Sequence, residues 1–98
     1  MKVMISQPMN GKSEGQIREE RETIVKGMKE EGLEIIDTIF TEEAPKDIDT
    51  AIYYLAKSIE AIGKVDAVFF MKGWEKARGC KVEHQVAVEY DKKIFYGN

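Results

Sequence analysis

A nearly continuous apolar run, Val65-Asp66-Ala67-Val68-Phe69-Phe70-Met71, lies in the second half of the chain. Runs of this length and composition are typical of parallel β-strands that are covered on both faces. Three further segments have the composition of short strands: Lys2 to Ser6, Leu33 to Asp37 and Lys93 to Tyr96. The sequence therefore predicts a sheet of four strands.

Three amphipathic segments separate these strands. The first begins with the capping box Ser13-x-x-Gln16, has apolar residues at helical spacing and ends near Gly32. A second helix is predicted to begin at the cap Asp49, after a polar loop, and a third to cover Cys80 to Asp91. Strict alternation of strands and helices predicts a three-layer, Rossmann or flavodoxin-like α/β domain with a four-stranded parallel sheet in the order 2-1-3-4.

Size and composition favour one domain over residues 1–98. The chain is 43% hydrophobic and 34% charged, which is typical of a folded domain with a densely charged surface. Its formal net charge of -3 makes a nucleic acid polymer or an anionic membrane an unfavourable partner. No apolar run approaches the roughly 20 residues of a membrane span, and we expect no signal peptide. A core of this size gains from self-association, so we expect a homo-oligomer.

The single cysteine, Cys80, excludes an intramolecular disulfide and favours a reducing compartment, so the expected localisation is cytoplasmic. Cys80 and the single histidine, His84, are four residues apart at the start of a predicted helix, whose dipole would favour a thiolate. Two ligands are too few for a zinc site, so no metal is expected. A buried thiol beside a surface histidine is the simpler interpretation of this pair.

Two loops follow strands at the edge where ligands bind in open parallel sheets: Gln7 to Lys12 and Lys72 to Gly79. Gly11-Lys12-Ser13 is similar to a phosphate-binding P-loop, but Ser6 stands in place of the first glycine and Pro8 lacks an N–H. The helix N-terminus behind Ser13 can attract an anion, and a plain capped turn explains the same residues.

Trp74 is the only tryptophan and lies in the second of these loops. Its ring would stack well on a base or a sugar. A tryptophan in this position would equally cover the open end of the sheet or lie in a subunit contact. Both interpretations place Trp74 at the carboxyl edge of the sheet.

Glu83 breaks the pattern of the third helix. At 100° per residue, Glu83 falls inside an apolar arc of Val82, Val86, Tyr90, Ala87 and Cys80. A carboxylate there would be partly desolvated and kept ionised by the helix dipole, as a nucleophile or base requires. A glutamate in a salt bridge at the rim of the core fits the same spacing.

Several segments, taken together and in order, resemble the nucleoside 2-deoxyribosyltransferase-like superfamily, especially its short phage and bacterial branch of unknown function. They are Ile5-Ser6-Gln7-Pro8-Met9-Asn10-Gly11, Asp66-Ala67-Val68-Phe69-Phe70, Gly73-Trp74 and Arg78-Gly79-Cys80-Lys81-Val82-Glu83-His84-Gln85-Val86-Ala87. Members of that branch have a G-P-M-x-G loop after the first strand and a G-x-x-x-E-x-x-x-A helix after the third. The chain departs from the superfamily at Gln7, where glycine is usual, and at Ala77, where aspartate or serine is usual.

The resemblance implies a nucleoside or a nucleoside monophosphate as substrate. It implies that Glu83 is the catalytic residue, attacking the anomeric carbon and displacing the base, as in retaining glycosidases. It also implies active sites shared between subunits and no cofactor. The expected substrate-binding residues are Ser6, Gln7, Pro8, Met9, Gly11, Asp66, Trp74 and Gly79. The alternative is a non-catalytic module that binds nucleotides or other proteins.

Overall fold

A computed structural model describes residues 1–40 and 42–97 of the protein. All its strands are parallel and lie in the order β2-β1-β3-β4, so the predicted fold is confirmed. Thr41, in the loop predicted before the second helix, and Asn98, the last residue of the predicted domain, lie outside the described residues. The elements are β1 Lys2–Ser6, α1 Glu14–Glu30, β2 Glu34–Ile36, α2 Thr50–Ile62, β3 Ala67–Phe70, a short 3₁₀ helix Trp74–Lys76, α3 Arg78–Glu89 and β4 Lys93–Tyr96.

The sheet separates two layers of helices. Helices α2 and α3 contact each other, and right-handed crossovers place α1 on the opposite face. The core between the sheet and the α2–α3 layer is formed by Met4, Val68, Phe70, Ala61, Ile62, Val65 and Ala87. Successive side chains of a strand point to opposite faces. At the carboxyl end of β1, Ser6 therefore faces α2 and α3, and Gln7 faces α1.

The predicted helix ends are mostly confirmed. The Ser13 hydroxyl accepts a hydrogen bond from the Gln16 amide at 3.2 Å, and the Asp49 carboxylate caps α2 in the same way. Gly32 ends α1 with a φ of 81°, and the hydrogen bond from the Leu33 amide to the Met28 carbonyl completes a Schellman motif. Within residues 1–40 and 42–97, no helix is long and apolar enough to cross a membrane.

Three predicted boundaries were wrong by two residues each. Strand β3 begins at Ala67, not Val65, because the Val65 amide still donates to Ile62 in the turn that closes α2. Helix α3 covers Arg78–Glu89, so it begins two residues before the predicted start. It also ends before Asp91, whose φ of 56° is left-handed and cannot continue a right-handed helix.

Helix α2 contributes Ile62 to the core between the sheet and the α2–α3 layer. Replacing Ile62, of which 1% is exposed, with alanine should lower the free energy of unfolding by about 2 to 5 kcal/mol. The matched control is Ile52→Ala on the same helix, where 58% of the residue is exposed. We expect the control to change the urea midpoint little. Equal losses in the free energy of unfolding of the two variants would show that the face of α2 that carries Ile62 does not hold this helix against the sheet.

Candidate functional site

The two residues at the carboxyl end of β1 each hold a buried charged residue, on opposite faces of the sheet. The Ser6 hydroxyl donates a hydrogen bond of 2.7 Å to Oε1 of Glu83 on α3. The Gln7 side chain accepts from Nε of Arg21 at 3.1 Å and donates to the Ile17 carbonyl at 2.8 Å, both on α1. The end of β1 therefore joins the two helical layers through a continuous set of polar contacts.

Glu83 is 7% exposed, so its predicted burial is confirmed. Burial raises the pKa of the Glu83 carboxyl, and the hydroxyls of Ser6 and Ser58 and the charge of Arg21 oppose that rise. The helix dipole, which the sequence analysis expected to keep this carboxylate ionised, contributes little here. Helix α3 begins at Arg78, so Glu83 lies in the second turn, where the dipole has little effect.

The buried face of α3 differs from the predicted arc. Its buried residues are Cys80, Glu83 and Ala87, which lie three and four positions apart and so form one stripe. Val82 is exposed, and Tyr90 is 74% exposed because it stands at the end of the helix. Glu83 therefore lies at the centre of the buried stripe.

Arg21 is a functional candidate that sequence analysis missed. It is 6% exposed, and its guanidinium donates from Nη2 to the Ile5 carbonyl at 3.2 Å and to the Thr38 hydroxyl at 3.1 Å. Nη1 lies 3.4 Å from Oδ1 of Asp37. Burial lowers the pKa of Arg21, and the charges of Asp37 and Glu83 oppose this change.

The spacing that identified Glu83 would also have identified Arg21 and Ser58. Arg21 lies four residues after Ile17 and three before Ile24, on the apolar face of α1. Ser58 lies four residues before Ile62, on the face that α2 turns to the core. A polar residue on a buried helix face is the shared signal of all three residues.

Cys80 is buried, and desolvation raises the pKa of its thiol to about 11. The simpler interpretation, a buried thiol, is therefore confirmed, and burial outweighs any effect of the helix dipole on the pKa of that thiol. His84 does not share a ligand site with Cys80, since its Nε2 lies 2.7 Å from the Tyr96 hydroxyl. In the described part of the chain, no three His, Cys, Asp or Glu side chains are grouped as a metal site would need.

The state of Cys80 predicts slow chemistry with thiol reagents. At pH 8 a thiol with a pKa of about 11 is almost wholly protonated, and its burial also blocks access. We expect the folded protein to react with a disulfide reagent at least about 100-fold more slowly than the urea-unfolded protein. Absorbance of the released thiol measures both rates, and similar rates would contradict the buried, neutral thiol.

An aromatic cluster covers the carboxyl edge of β3 and β4. The Trp74 and His84 rings are stacked with centroids 4.1 Å apart, and Phe70 lies beneath them with its centroid 5.0 Å from that of His84. Tyr96 completes the cluster, and more than half of it is exposed. Trp74 thus covers the open end of the sheet, as one of the two interpretations predicts, while Tyr96 offers the exposed ring.

The other predicted loop residues lie around this edge. A Cβ added at Gly73 would lie 3.8 Å from Pro8, so the loops after β1 and β3 adjoin. Met9 and Gly11 lie on an exposed turn, and a Cβ added at Gly11 or Gly79 would meet no atom within 4 Å. The structure brings Ser6 to Glu83, turns Gln7 to the opposite face of the sheet, and places Pro8 and Trp74 at the same edge. Among the described residues, Met9, Gly11 and Gly79 make no hydrogen bond to the carboxylate.

Asp66 does not belong to this group. It precedes β3, so it lies at the amino edge of the sheet, where its carboxylate accepts a 2.8 Å hydrogen bond from the Lys2 amide. Because the strands are parallel, about four residues, or roughly 13 Å, separate this edge from Ser6. The prediction of Asp66 as a substrate-binding residue is therefore corrected.

Ala77 stands at the N-cap of α3 and makes no side-chain capping bond. Aspartate or serine at this position would be among the strongest N-cap residues. The first amides of α3 therefore receive no cap from the side chain of their own N-cap residue.

An open groove of mixed charge lies elsewhere, between α1 and β2. Its lining includes Arg18, Arg21, Glu22, Val25, Lys29, Ile35, Asp37 and Ile39. The buried charge in this groove, Arg21, is already used in hydrogen bonds to protein groups. The buried carboxylate of Glu83 at the β1–β3 boundary is therefore the better candidate for chemistry.

Comparison with known proteins identifies one family. The family model that matches covers residues 1–96, and its description is a domain of unknown function, DUF4406. No curated protein matches the chain. The family thus spans nearly all of the described residues, from β1 to the end of β4.

Proposed function

Because the chain belongs to the DUF4406 family of unknown function, we propose from its site that it cleaves or exchanges the N-glycosidic bond of a nucleoside or nucleoside monophosphate. In this proposal Glu83 is the nucleophile. The single observation that carries it is the buried carboxylate of Glu83, held by Ser6 at the carboxyl end of β1.

The position of Glu83 supports a ligand site. In the order β2-β1-β3-β4 the connections leave in opposite directions on either side of the boundary between β1 and β3. Open α/β sheets bind ligands at such a boundary, outside the carboxyl ends of the strands. Ser6 is the last residue of β1 and pairs in register with Phe70 of β3, so the Ser6–Glu83 contact lies at this boundary.

The chemistry of the site is consistent with displacement at an anomeric carbon. The Glu83 carboxylate would form a bond to C1′ as the bond from C1′ to the base nitrogen breaks, and the base would leave with that electron pair and take a proton from water. Water, or a second base in an exchange reaction, would then attack C1′ and release the ionised carboxylate. The Ser6 hydroxyl donates a hydrogen bond to Oε1 of Glu83 and so orients the carboxylate.

The resemblance to the nucleoside 2-deoxyribosyltransferase-like superfamily supports the substrate class. A nucleoside presents a base that the exposed Tyr96 ring can stack on, and this ring lies at the same edge of the sheet as Glu83. In the same proposal the protein is a cytoplasmic homo-oligomer with active sites shared between subunits and no cofactor.

A second candidate function is a non-catalytic module that binds nucleotides or proteins. The observation that favours it is the near-complete burial of Glu83, whose carboxylate accepts a 2.7 Å hydrogen bond from Ser6. In this candidate the Glu83 carboxylate has a purely structural role and holds α3 against β1. The two candidates differ in whether bound nucleoside releases its base.

The deciding experiment measures base release by chromatography from a panel of 2-deoxynucleosides, ribonucleosides and their 5′-monophosphates. Binding is measured in parallel by calorimetry and by the emission of Trp74. Base release from a deoxynucleoside or its monophosphate supports the enzymatic proposal. Binding without release over the whole panel supports the nucleotide-binding module. The absence of both binding and release contradicts the enzyme and the nucleotide-binding module, and leaves the protein-binding module.

A further inference from the structure

Arg21 forms hydrogen bonds to the residues on both sides of Ser6. Its guanidinium donates to the Ile5 carbonyl and to the Gln7 side chain, which are the residues before and after Ser6. Ser6 in turn donates to Glu83 from the opposite face of the sheet. One planar, five-donor group thus fixes the backbone segment that carries the hydroxyl partner of the carboxylate.

We propose that Arg21 is the positioning residue of this site, fixing the end of β1 from which Ser6 holds Glu83 and placing a positive charge across that strand from the carboxylate. The inference deepens the proposed function and rests on it only for the reaction in which the Glu83 carboxylate takes part. Arg21 does not touch Glu83, so it acts through Ser6 and through the electric field across the end of β1.

The charges around the two residues support this role. Glu83 faces the Ser6 and Ser58 hydroxyls, the Cys80 thiol and the charge of Arg21. The thiol is neutral at pH 7 because burial raises its pKa to about 11. The positive charge of Lys12 lowers the pKa of that thiol and only partly offsets the effect of burial. Arg21 is therefore the cation that opposes the effect of burial on the pKa of Glu83. An arginine stays charged in such a place because its pKa begins so high.

Two acidic side chains act on the pKa of Arg21, and the charge of Asp37 raises it more than the charge of Glu83 does. Asp37 lies 3.4 Å from Nη1, but its side chain is mostly exposed and water screens it. Arg18, one turn before Arg21, is an exposed arginine that pairs with Glu14 instead. It offers a matched control for removing one positive charge from the same helix.

The test follows the carboxyl carbon of Glu83 by NMR during a pH titration of wild type, Arg21→Gln and Arg18→Gln. Glutamine retains hydrogen-bonding groups at position 21 and removes the charge. We expect the pKa of Glu83 to rise by about half a unit or more in Arg21→Gln. In Arg18→Gln it should stay at the wild-type value. Folded Arg21→Gln with the wild-type pKa for Glu83 would overturn the proposal.

A second measurement decides the question if Arg21→Gln does not fold. The Nε–H of Arg21 is buried and bonded to Gln7, so its NMR signal can be followed in wild type and in Glu83→Gln. The proposal predicts an inflection at the pH at which the Glu83 carbon titrates, retained in Asp37→Asn and absent in Glu83→Gln. An inflection that is unchanged in Glu83→Gln would overturn it.

These measurements separate this inference from the proposed enzymatic function. Base release that survives Glu83→Gln, together with the expected titrations, would remove the nucleophile and leave the positioning of Glu83 by Arg21 intact. If base release depends on Glu83 but Arg21→Gln does not change the titration of Glu83, the enzymatic proposal stands and the positioning role of Arg21 is wrong.

Discussion

Replacing Glu83 with glutamine should lower base release from the best substrate of the panel by at least about 10³-fold. Glutamine preserves the volume of the side chain and an oxygen that accepts from Ser6, but it cannot form the bond to the anomeric carbon. Nucleoside binding should largely survive, because the substitution removes a reacting group and little contact area. Initial rates and calorimetric affinities for wild type and variant measure the two effects.

The stability of Glu83→Gln, compared with that of wild type at two pH values, tests whether Glu83 has a structural role. Burial raises the pKa of Glu83 above its value in the unfolded chain, so the folded state binds this proton more tightly. Stability from this group is therefore greatest below the pKa of the unfolded carboxyl, and it falls as pH rises through the higher pKa of the folded state. We expect Glu83→Gln to be at least as stable as wild type at pH 8, with less advantage at pH 4. A large loss of stability at pH 8 would make Glu83 a structural residue.

Removing the Arg21 side chain should cost more stability than any other single change at this site. Arg21→Met would leave the Ile5 carbonyl, the Thr38 hydroxyl and the Gln7 amide oxygen with fewer or no buried partners. We expect a loss of about 3 to 5 kcal/mol in the free energy of unfolding. Chemical denaturation at pH 7 measures it.

Arg18→Met is the control for this change. It removes the same charge from the same helix, but Arg18 makes only an exposed ion pair with Glu14, so we expect about 0.5 kcal/mol or less. Similar losses for Arg21→Met and Arg18→Met would show that the buried guanidinium is not a stabilising contact.

The fold was predictable because its strands are short, apolar and separated by helices with clear ends. Lys2–Ser6 and Lys93–Tyr96 agree with β1 and β4, and the caps at Ser13 and Asp49 were visible as oxygen-bearing side chains before apolar periodicity. The start of α3 was harder to predict, because Ala77 stands at its N-cap and gives no capping signal. The start of β3 depends on the hydrogen bond from the Val65 amide to the Ile62 carbonyl, which composition does not reveal.

The site was predictable only in part. The burial of Glu83 follows from its spacing on α3, but its partner Ser6 could not be inferred from periodicity, because the two are 77 residues apart. Arg21 was not singled out, although it lies on the apolar face of α1 with Ile17 and Ile24. Asp66 was assigned by its place in a motif, whereas the direction of β3 puts it at the far edge.

The most direct test of the account is to trap the covalent intermediate. A 2-fluoro-2-deoxynucleoside slows both steps at the anomeric carbon, so the sugar should accumulate on the protein and be detected by intact mass spectrometry. Peptide mapping should place the added sugar on Glu83, and Glu83→Gln should gain no mass. A wild-type protein that releases base while the sugar is found on another residue would contradict Glu83 as the nucleophile.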